Sequence, residues 1–198
     1  MSDDRTLAVY SRQSDDYAAM MDGEAARDRM IGRFIAACPA GGHVLDLGCG
    51  PGHYARRMAG AGLSVDALDA VQAMVDRAAE LPGVFARLGR FGDVTGTDIY
   101  DGIWAYFSLL HAPRNDLPGH LSQIANALRP GGVLFLGMKR GSGGKRDSIG
   151  RFYEYYEREE LEVLLNGVGL QVSDCWYGQG TGLAGGHPEG WLVIRADA

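Results

Sequence analysis

Hydrophobic and polar positions follow two patterns that succeed one another along this chain. Short runs of consecutive apolar residues, bounded by glycine, proline or aspartate, predict buried strands. Segments with apolar residues at helical spacing separate several of these runs, which is typical of a parallel sheet covered by helices. The predicted strands lie at residues 44–47, 63–68, 84–88, 101–107, 133–138, 170–177 and 191–196. We therefore predict a doubly wound α/β fold, with seven mostly parallel strands, helices on both faces and a C-terminal antiparallel hairpin.

The first predicted strand runs directly into a glycine-rich turn, Gly48-Cys49-Gly50-Pro51-Gly52, which a helix follows. Glycine permits both a sharp reversal of the chain and close approach of a ligand to the backbone. A dinucleotide fingerprint has glycine at its first, third and sixth positions, but the sixth position here is His53. Asp46, two residues before the turn, would repel a pyrophosphate and attract a cationic amino-acid group.

Two further features lie at consistent distances from this turn. Asp69 ends the second predicted strand, about twenty residues beyond the turn, where an acidic side chain can accept both hydroxyls of a ribose. The alternative role for Asp69 is to cap the helix that follows. A turn, Arg129-Pro130-Gly131-Gly132, precedes the fifth predicted strand.

Together these motifs resemble those of the class I S-adenosylmethionine-dependent methyltransferases over residues 40–140. Looser similarity points to small bacterial members associated with tellurite resistance. The resemblance implies a Rossmann-like methyltransferase fold, S-adenosylmethionine as cofactor with S-adenosylhomocysteine as product, and methyl transfer to a small-molecule acceptor. It also implies a set of cofactor-binding residues: Asp46, Gly48, Cys49, Gly50, Gly52, Asp69, Ala70, Met74, Asp93, Ala105 and Tyr106.

Three segments are expected to surround the methyl acceptor. By resemblance, residues 1–38 form an N-terminal helical lid on a single domain of residues 1–198, with Tyr10 and Tyr17 facing the reacting groups; surface packing is the alternative. His111 follows the fourth predicted strand and has an unperturbed pKa suited to a general base. Arg151 and Tyr155 could hold an anionic or aromatic acceptor, or serve packing alone.

Composition narrows the remaining choices. The net charge of −6 offers no basic surface for nucleic acid, so we do not expect that partner. Three cysteines without a Cys-x-x-Cys pair indicate neither a disulfide framework nor a metal site, and no apolar run suits a membrane span. We expect a cytoplasmic monomer or homodimer. Two alternatives stay open: an NAD-dependent oxidoreductase, and a non-catalytic protein that binds S-adenosylmethionine for regulation.

Overall fold

The computed structural model describes residues 3–181, 184–185 and 187–198, and these residues form nine strands and seven α-helices. The strands are β1 (His43–Leu47), β2 (Ser64–Asp69), β3 (Val84–Leu88), β4 (Tyr100–Tyr106), β5 (Leu128–Arg140), β6 (Gly144–Arg146), β7 (Phe152–Tyr156), β8 (Gln171–Gly180) and β9 (Glu189–Asp197). The helices are α1 (Asp4–Arg12), α2 (Ser14–Arg27), α3 (Met30–Ala37), α4 (His53–Gly60), α5 (Gln72–Ala79), α6 (Leu117–Ala127) and α7 (Arg158–Gly167). Part of the predicted connection between the last two strands lies outside the described residues.

Seven of the strands form the predicted doubly wound sheet, in the order β3-β2-β1-β4-β5-β9-β8. The first five are parallel, and β9 runs antiparallel to both β5 and β8. The predicted fold class, including the C-terminal hairpin, is therefore confirmed. Since β1 and β4 are neighbours and lead in opposite directions across the sheet, their carboxyl ends mark the switch point where open α/β sheets bind ligands.

The segment after β5 differs from its sequence prediction. No strand is predicted between residues 138 and 170, but β6 pairs with β7, and β7 pairs with the last two residues of β5. This pairing begins just beyond Gly137, where β4 ends. The additional hairpin consequently extends the sheet beyond its carboxyl edge and borders the cleft there.

Strand alternation divides the core between the two faces of the sheet. In β4, Ile103 packs in the cluster that contains α6 and α7, whereas Trp104 packs in the cluster that contains α3 and α4. The same alternation in β1 points Leu45 and Leu47 toward the first cluster and Val44 toward the second. Asp46 has the parity of Val44, so the fold buries its carboxylate under α4.

The N-terminal helices lie against the carboxyl edge of the sheet. The side chain of Asp3 accepts a hydrogen bond from Thr6 N and thereby caps α1, and the Thr6 hydroxyl oxygen accepts one from Phe152 N at the start of β7. Ion pairs join Asp3 to Arg146 (3.1 Å) and Asp4 to Arg90 (3.2 Å). Residues 1–2 of the expected 1–38 lid lie outside the described residues. Among the described helices, none has the length and apolar character needed to cross a bilayer.

Candidate functional site

The glycine turn after β1 has the backbone conformation that only glycine adopts readily. Gly48, Gly50 and Gly52 have φ angles of 77°, 53° and 86°. A Cβ on Gly48 would lie 2.3 Å from the Cβ of Ser108, and one on Gly52 would lie 2.6 Å from Leu81. The turn therefore needs glycine at 48 and 52 for packing against the protein itself.

Asp69 holds this turn against the end of β2. Its Oδ2 accepts a hydrogen bond from Gly50 N and its Oδ1 accepts one from Val71 N, both at 2.9 Å. Burial raises the pKa of the Asp69 carboxyl, an effect that these hydrogen bonds oppose. The N-cap position of α5 is occupied by Val71, so Asp69 is not the N-cap of this helix. Each carboxylate oxygen has a second acceptor site, which leaves capacity for a ligand's hydroxyl groups.

Asp46 is a buried carboxylate with an unpaired oxygen. The side chain is 2% exposed, and Oδ2 has no hydrogen-bond partner among the described residues. Burial, followed by repulsion from Asp69, raises its pKa to about 8. Such a group is costly unless a cation or a donor reaches it, so Asp46 marks a position where a ligand can supply that partner.

Two adjoining clefts lie at this edge of the sheet. The narrow cleft runs over the turn and the ends of β2 and β4, and it is lined by the predicted residues Gly48, Gly50, Asp69, Ala70, Met74 and Tyr106. The wide cleft, with a volume of about 1260 Å³, is lined by Asp46, Cys49 and, again, Gly48 and Tyr106. A ligand that reaches from Asp69 to Asp46 would pass over Gly48, which both clefts share.

Three of the expected cofactor residues line neither cleft: Gly52, Asp93 and Ala105. Asp93 is exposed and its Oδ2 accepts a hydrogen bond from Arg90 N at 2.7 Å, while Ala105 is fully buried inside the sheet. Phe91 lines the narrow cleft instead of Asp93. The sequence signal for Phe91 was an aromatic residue in the turn after β3. It was missed because Asp93, in the same turn, was assigned to the cofactor instead.

Both predicted tyrosines of the N-terminal segment reach the site. Tyr10 and Tyr17 line the two clefts and contact each other edge to face, with ring centroids 5.3 Å apart. A Cβ placed on Gly50 would be 3.3 Å from Cε1 of Tyr17, so this ring lies directly over the turn. The contacts agree with the expected position of α1 and α2 above the site.

His111 is connected to the lid through Tyr10. The Tyr10 hydroxyl donates to Nε2 at 2.9 Å, and Nδ1 donates to the carbonyl oxygen of Phe152 at 2.6 Å, the tautomer being assigned from these partners. Burial, with a contribution from Arg151, lowers the pKa of His111 to about 4, so the ring is neutral near pH 7. Both ring nitrogens are occupied, and a proton from an acceptor would have to pass through Tyr10 to reach His111.

Arg151 also acts on Tyr10. The guanidinium is 4% exposed, its Nε and Nη2 each lie 2.8 Å from Oδ2 of Asp147, and Nη1 donates to the Tyr10 hydroxyl at 3.1 Å. Its charge is therefore balanced inside the protein, and its hydrogen bond through Nη1 orients Tyr10. Tyr155 donates to Glu189 at 2.9 Å and does not line either cleft, whereas Tyr153 lines the wide one.

Replacing Tyr10 with phenylalanine should lower the free energy of unfolding by about 1–3 kcal/mol. The change leaves Nε2 of His111 buried without its donor, and an unsatisfied buried group carries its full desolvation cost. Urea unfolding followed by far-ultraviolet circular dichroism measures this difference. The control is Tyr177→Phe, at a side chain that is 51% exposed; equal effects of the two substitutions would contradict the proposed hydrogen-bond network.

No cluster of three or more histidine, cysteine, aspartate or glutamate side chains suited to a metal ion occurs in residues 3–181, 184–185 and 187–198. The geometry thus consists of a glycine turn, one buried and one half-buried carboxylate, and two tyrosines of α1 and α2. It provides acceptors for hydroxyl groups and for a cation.

Comparisons with known proteins agree with this geometry. Residues 44–132 match the family model of a methyltransferase domain. The chain is 30% identical over 132 residues, 64% of its length, to a malonyl-[acyl-carrier protein] O-methyltransferase of Serratia marcescens. It is 28% identical over 169 residues, 75% of its length, to the O-methyltransferase resE of Aspergillus sclerotiorum. These matches cover 49% and 63% of the relatives, so the chain spans about half to two thirds of their length.

The fold is similar to that of a solved 1,6-didemethyltoxoflavin-N1-methyltransferase of Burkholderia thailandensis, which contains 1,6-didemethyltoxoflavin and S-adenosylhomocysteine. The TM-score is 0.79 at 21% identity, over 98% of this chain and 87% of the other. The match over residues 44–132 includes the strand, turn and helix that carry the site, so this part of the chain is a methyltransferase domain, and the fold around it is similar to that of a methyltransferase with bound S-adenosylhomocysteine.

Proposed function

We propose that this protein transfers the methyl group of S-adenosylmethionine to a small-molecule acceptor. The observation that carries the proposal is Asp46, a buried carboxylate with an unpaired oxygen at the end of β1. A pyrophosphate would be repelled there, whereas the ammonium group of an amino-acid moiety would supply the missing partner.

The residues present fit the cofactor at both of its ends. Asp69, already oriented by two backbone N–H groups, has acceptor sites left for ribose hydroxyls. Asp46 would hold the ammonium group, and the shared lining residue Gly48 lies between the two clefts. Phe91 and Met74 supply apolar surface for an adenine ring.

When bound, S-adenosylmethionine supplies a methyl group already activated by its sulfonium. This chain then has to hold the acceptor in line and keep water out, and positioning of this kind can lower a barrier by about 7–11 kcal/mol. Tyr10 and Tyr17 cover the site from the N-terminal side, so we propose that α1 and α2 act as its lid. The rest of the expected lid over residues 1–38 includes α3, which packs in the core cluster with β4 instead. Where an acceptor must lose a proton, Tyr10 is the residue that faces it and His111 is the base behind Tyr10.

The size of the wide cleft and the similar proteins support a small acceptor. A volume of about 1260 Å³ exceeds that of a typical small-ligand pocket and leaves room beside a cofactor. The Burkholderia protein contains 1,6-didemethyltoxoflavin, and the relatives are O-methyltransferases. None of these similar proteins supports the alternatives of an oxidoreductase or a non-catalytic binding protein.

We further propose a cytoplasmic monomer or homodimer that does not act on nucleic acid. Three free cysteines suit a reducing compartment, and the net charge of −6 disfavours a polyanion.

Asp69→Asn should weaken binding of both S-adenosylmethionine and S-adenosylhomocysteine by about 10- to 100-fold. The change removes the charge from hydrogen bonds to the ribose, each worth about 1.5–3 kcal/mol. Isothermal titration calorimetry of the purified variants, with NADH as a comparison ligand, measures the effect. Asp76→Asn is the control, because Asp76 is an exposed carboxylate of α5 that bonds Gln72.

The proposed function fails if the unaltered protein binds neither S-adenosyl compound, or if it prefers NADH. Equal affinities of the Asp69 and Asp76 variants would instead reject the ribose role of Asp69 while leaving the cofactor intact.

A further inference from the structure

We infer that the methyl acceptor is a planar aromatic compound with an anionic group, its ring against Phe107 and Trp191 and its anion beside Lys139 and Lys145. The inference rests on the proposed function and specifies its substrate class. Two observations support it. Phe107, at the junction of the two clefts, has a strained backbone, and Lys139 and Lys145 share one carboxylate, which leaves a surplus of positive charge.

Phe107 has a backbone conformation that a bulky residue rarely adopts. Its φ angle is 56°, in the left-handed region that is strained for a residue with a bulky side chain. The hydrogen bond from Phe107 N to Gly137 O, 3.0 Å long, holds the chain there at the end of β4. The ring is half-buried and lines both the narrow and the wide cleft. Strain retained at this point places an aromatic surface where cofactor and acceptor have to meet.

Trp191 provides a second aromatic surface beside Phe107. The two ring centroids are 6.1 Å apart and the rings are nearly perpendicular, at 77°. Phe107 also contacts Tyr106 edge to face, at 4.5 Å. Both Phe107 and Trp191 are half-buried and line the wide cleft, so part of each ring remains open to a ligand. Aromatic side chains arranged in this way favour planar ring systems over flexible aliphatic ones.

The fold places a cation on the same face of the sheet as the indole ring, which itself lies over Gly178 of β8. Lys139 on β5 and Trp191 on β9 are paired opposite each other in antiparallel register. Residues paired in this way project from the same face of the sheet. The Lys139 ammonium group also lies 3.7 Å from the centroid of the Tyr153 ring, a cation–π contact within the wide cleft.

The chain contains only two lysines, and both contact the same carboxylate. Lys139 forms an ion pair with Glu189, and Lys145 lies 2.7 Å from the other oxygen of that carboxylate. Burial acts to raise the pKa of Glu189, but hydrogen bonds from the two lysines and from Tyr155 lower it to about 2, so it is ionised near neutral pH. Two ammonium groups against one carboxylate leave one positive charge in surplus.

Other charges of the wide cleft do not cancel this surplus. Arg146 and Arg151 line the cleft as well, and each is paired with its own aspartate, Asp3 and Asp147 respectively. Asp46 lies at the cofactor end of the cleft, where the ammonium group of bound S-adenosylhomocysteine would balance its charge. A protein of net charge −6 thus has a cleft whose walls attract anions.

The test uses calorimetry on protein saturated with S-adenosylhomocysteine and three probes of similar size. Quinoline-2-carboxylate is planar, aromatic and anionic; quinoline lacks the anion; decahydronaphthalene-2-carboxylate keeps two fused rings and the anion but is not aromatic. We expect quinoline-2-carboxylate to bind at least about tenfold more tightly than either of the others.

Two variants separate the two contributions. Trp191→Leu should weaken both aromatic probes about equally, with Phe85→Leu on the exposed edge of β3 as control. Lys139→Met should remove the preference for quinoline-2-carboxylate over quinoline, with Arg158→Met, an exposed cation of α7, as control.

A spectroscopic readout places the probe independently of affinity. After reductive ¹³C-methylation, Lys139 and Lys145 give the only lysine signals of the chain. The ring current of bound quinoline-2-carboxylate should shift both. Equal affinity for the three probes, no binding at millimolar concentration, or unshifted lysine signals would overturn the inference. Failure of S-adenosylhomocysteine itself to bind would instead reject the proposed function, and this is measured first.

Discussion

Gly48→Ala is expected to lower the free energy of unfolding by about 2–5 kcal/mol and to weaken binding of S-adenosylhomocysteine by more than tenfold. Two costs add. A non-glycine residue at a φ of 77° loses about 1–2 kcal/mol. Forcing a Cβ to within 2.3 Å of the Cβ of Ser108 adds an overpacking cost of about 1–3 kcal/mol. Relief of the clash would displace the turn that carries the cofactor site.

Gly62→Ala isolates the first of these costs. Gly62 has a φ of 88°, but no atom lies within 4 Å of where its Cβ would be. Urea unfolding should therefore show a loss of only about 1–2 kcal/mol for this variant, with unchanged cofactor binding.

Ser108→Gly tests the second cost as a rescue. Alone it removes the hydrogen bond from Ser108 Oγ to Leu47 O and should cost about 1 kcal/mol. Combined with Gly48→Ala, it should yield a double variant that is more stable than the sum of the single effects predicts. Strict additivity would show that the close approach of the two segments does not explain the glycine.

Asp46→Asn is expected to stabilise the ligand-free protein at pH 8 and to weaken binding of S-adenosylmethionine by at least about tenfold at that pH. In the folded protein, burial and then repulsion from Asp69 raise the pKa of Asp46 to about 8, against 3.8 for an ordinary aspartate. Folded chains therefore retain a proton that unfolded chains release above pH 4. Stability attributable to this group is full below about pH 4 and is lost as the pH rises toward 8.

The difference between this variant and the unaltered protein should consequently grow with pH, reaching a few kcal/mol at pH 8 by the linkage of about 1.4 kcal/mol per pKa unit. Thermal unfolding from pH 5 to pH 8 measures it, and Asp76→Asn should show no such trend. If the two variants have parallel stability profiles, Asp46 is not the buried acid that the structure indicates.

The affinity for the cofactor should follow the opposite trend with pH. An ammonium group stabilises the ionised form of Asp46, so the cofactor should displace the proton, and its affinity should rise between pH 6 and pH 8 in the unaltered protein. Asp46→Asn should remove that dependence. Calorimetry in buffers of different ionisation enthalpy would detect the released proton. No proton release would contradict the assignment of the cationic end of the cofactor to Asp46.

Local sequence signals were sufficient for the strand, turn and helix around Gly48 and for Asp69. Each of these depends on residues close together in the chain, namely an apolar run, glycines with positive φ and a carboxylate at a strand end. The doubly wound class also followed from the pattern, because short crossovers between buried parallel strands allow few arrangements. The family resemblance indicated which of these residues would contact a cofactor.

The arrangement of the residues expected to surround the acceptor depends on contacts between distant parts of the chain. The hydrogen bonds from Tyr10 to His111 and from Arg151 to Tyr10 join residues 101 and 141 positions apart. His111 is predicted from the sequence as a general base. The partners of both its ring nitrogens follow only from the packing of α1 against β7. The roles of Lys139 and Lys145 depend likewise on the hairpin of β6 and β7, whose three-residue first strand carries no recognisable alternation.

The sequence by itself determined the fold class, the glycine turn and the two carboxylates beside it, since each depends on a short stretch of chain with its own backbone preferences. Only the tertiary structure decided which of those groups remain unpaired, such as Oδ2 of Asp46, and which are already occupied, such as both nitrogens of His111. The physical reason is that pairing and desolvation are set by neighbours that the chain brings from far away in sequence.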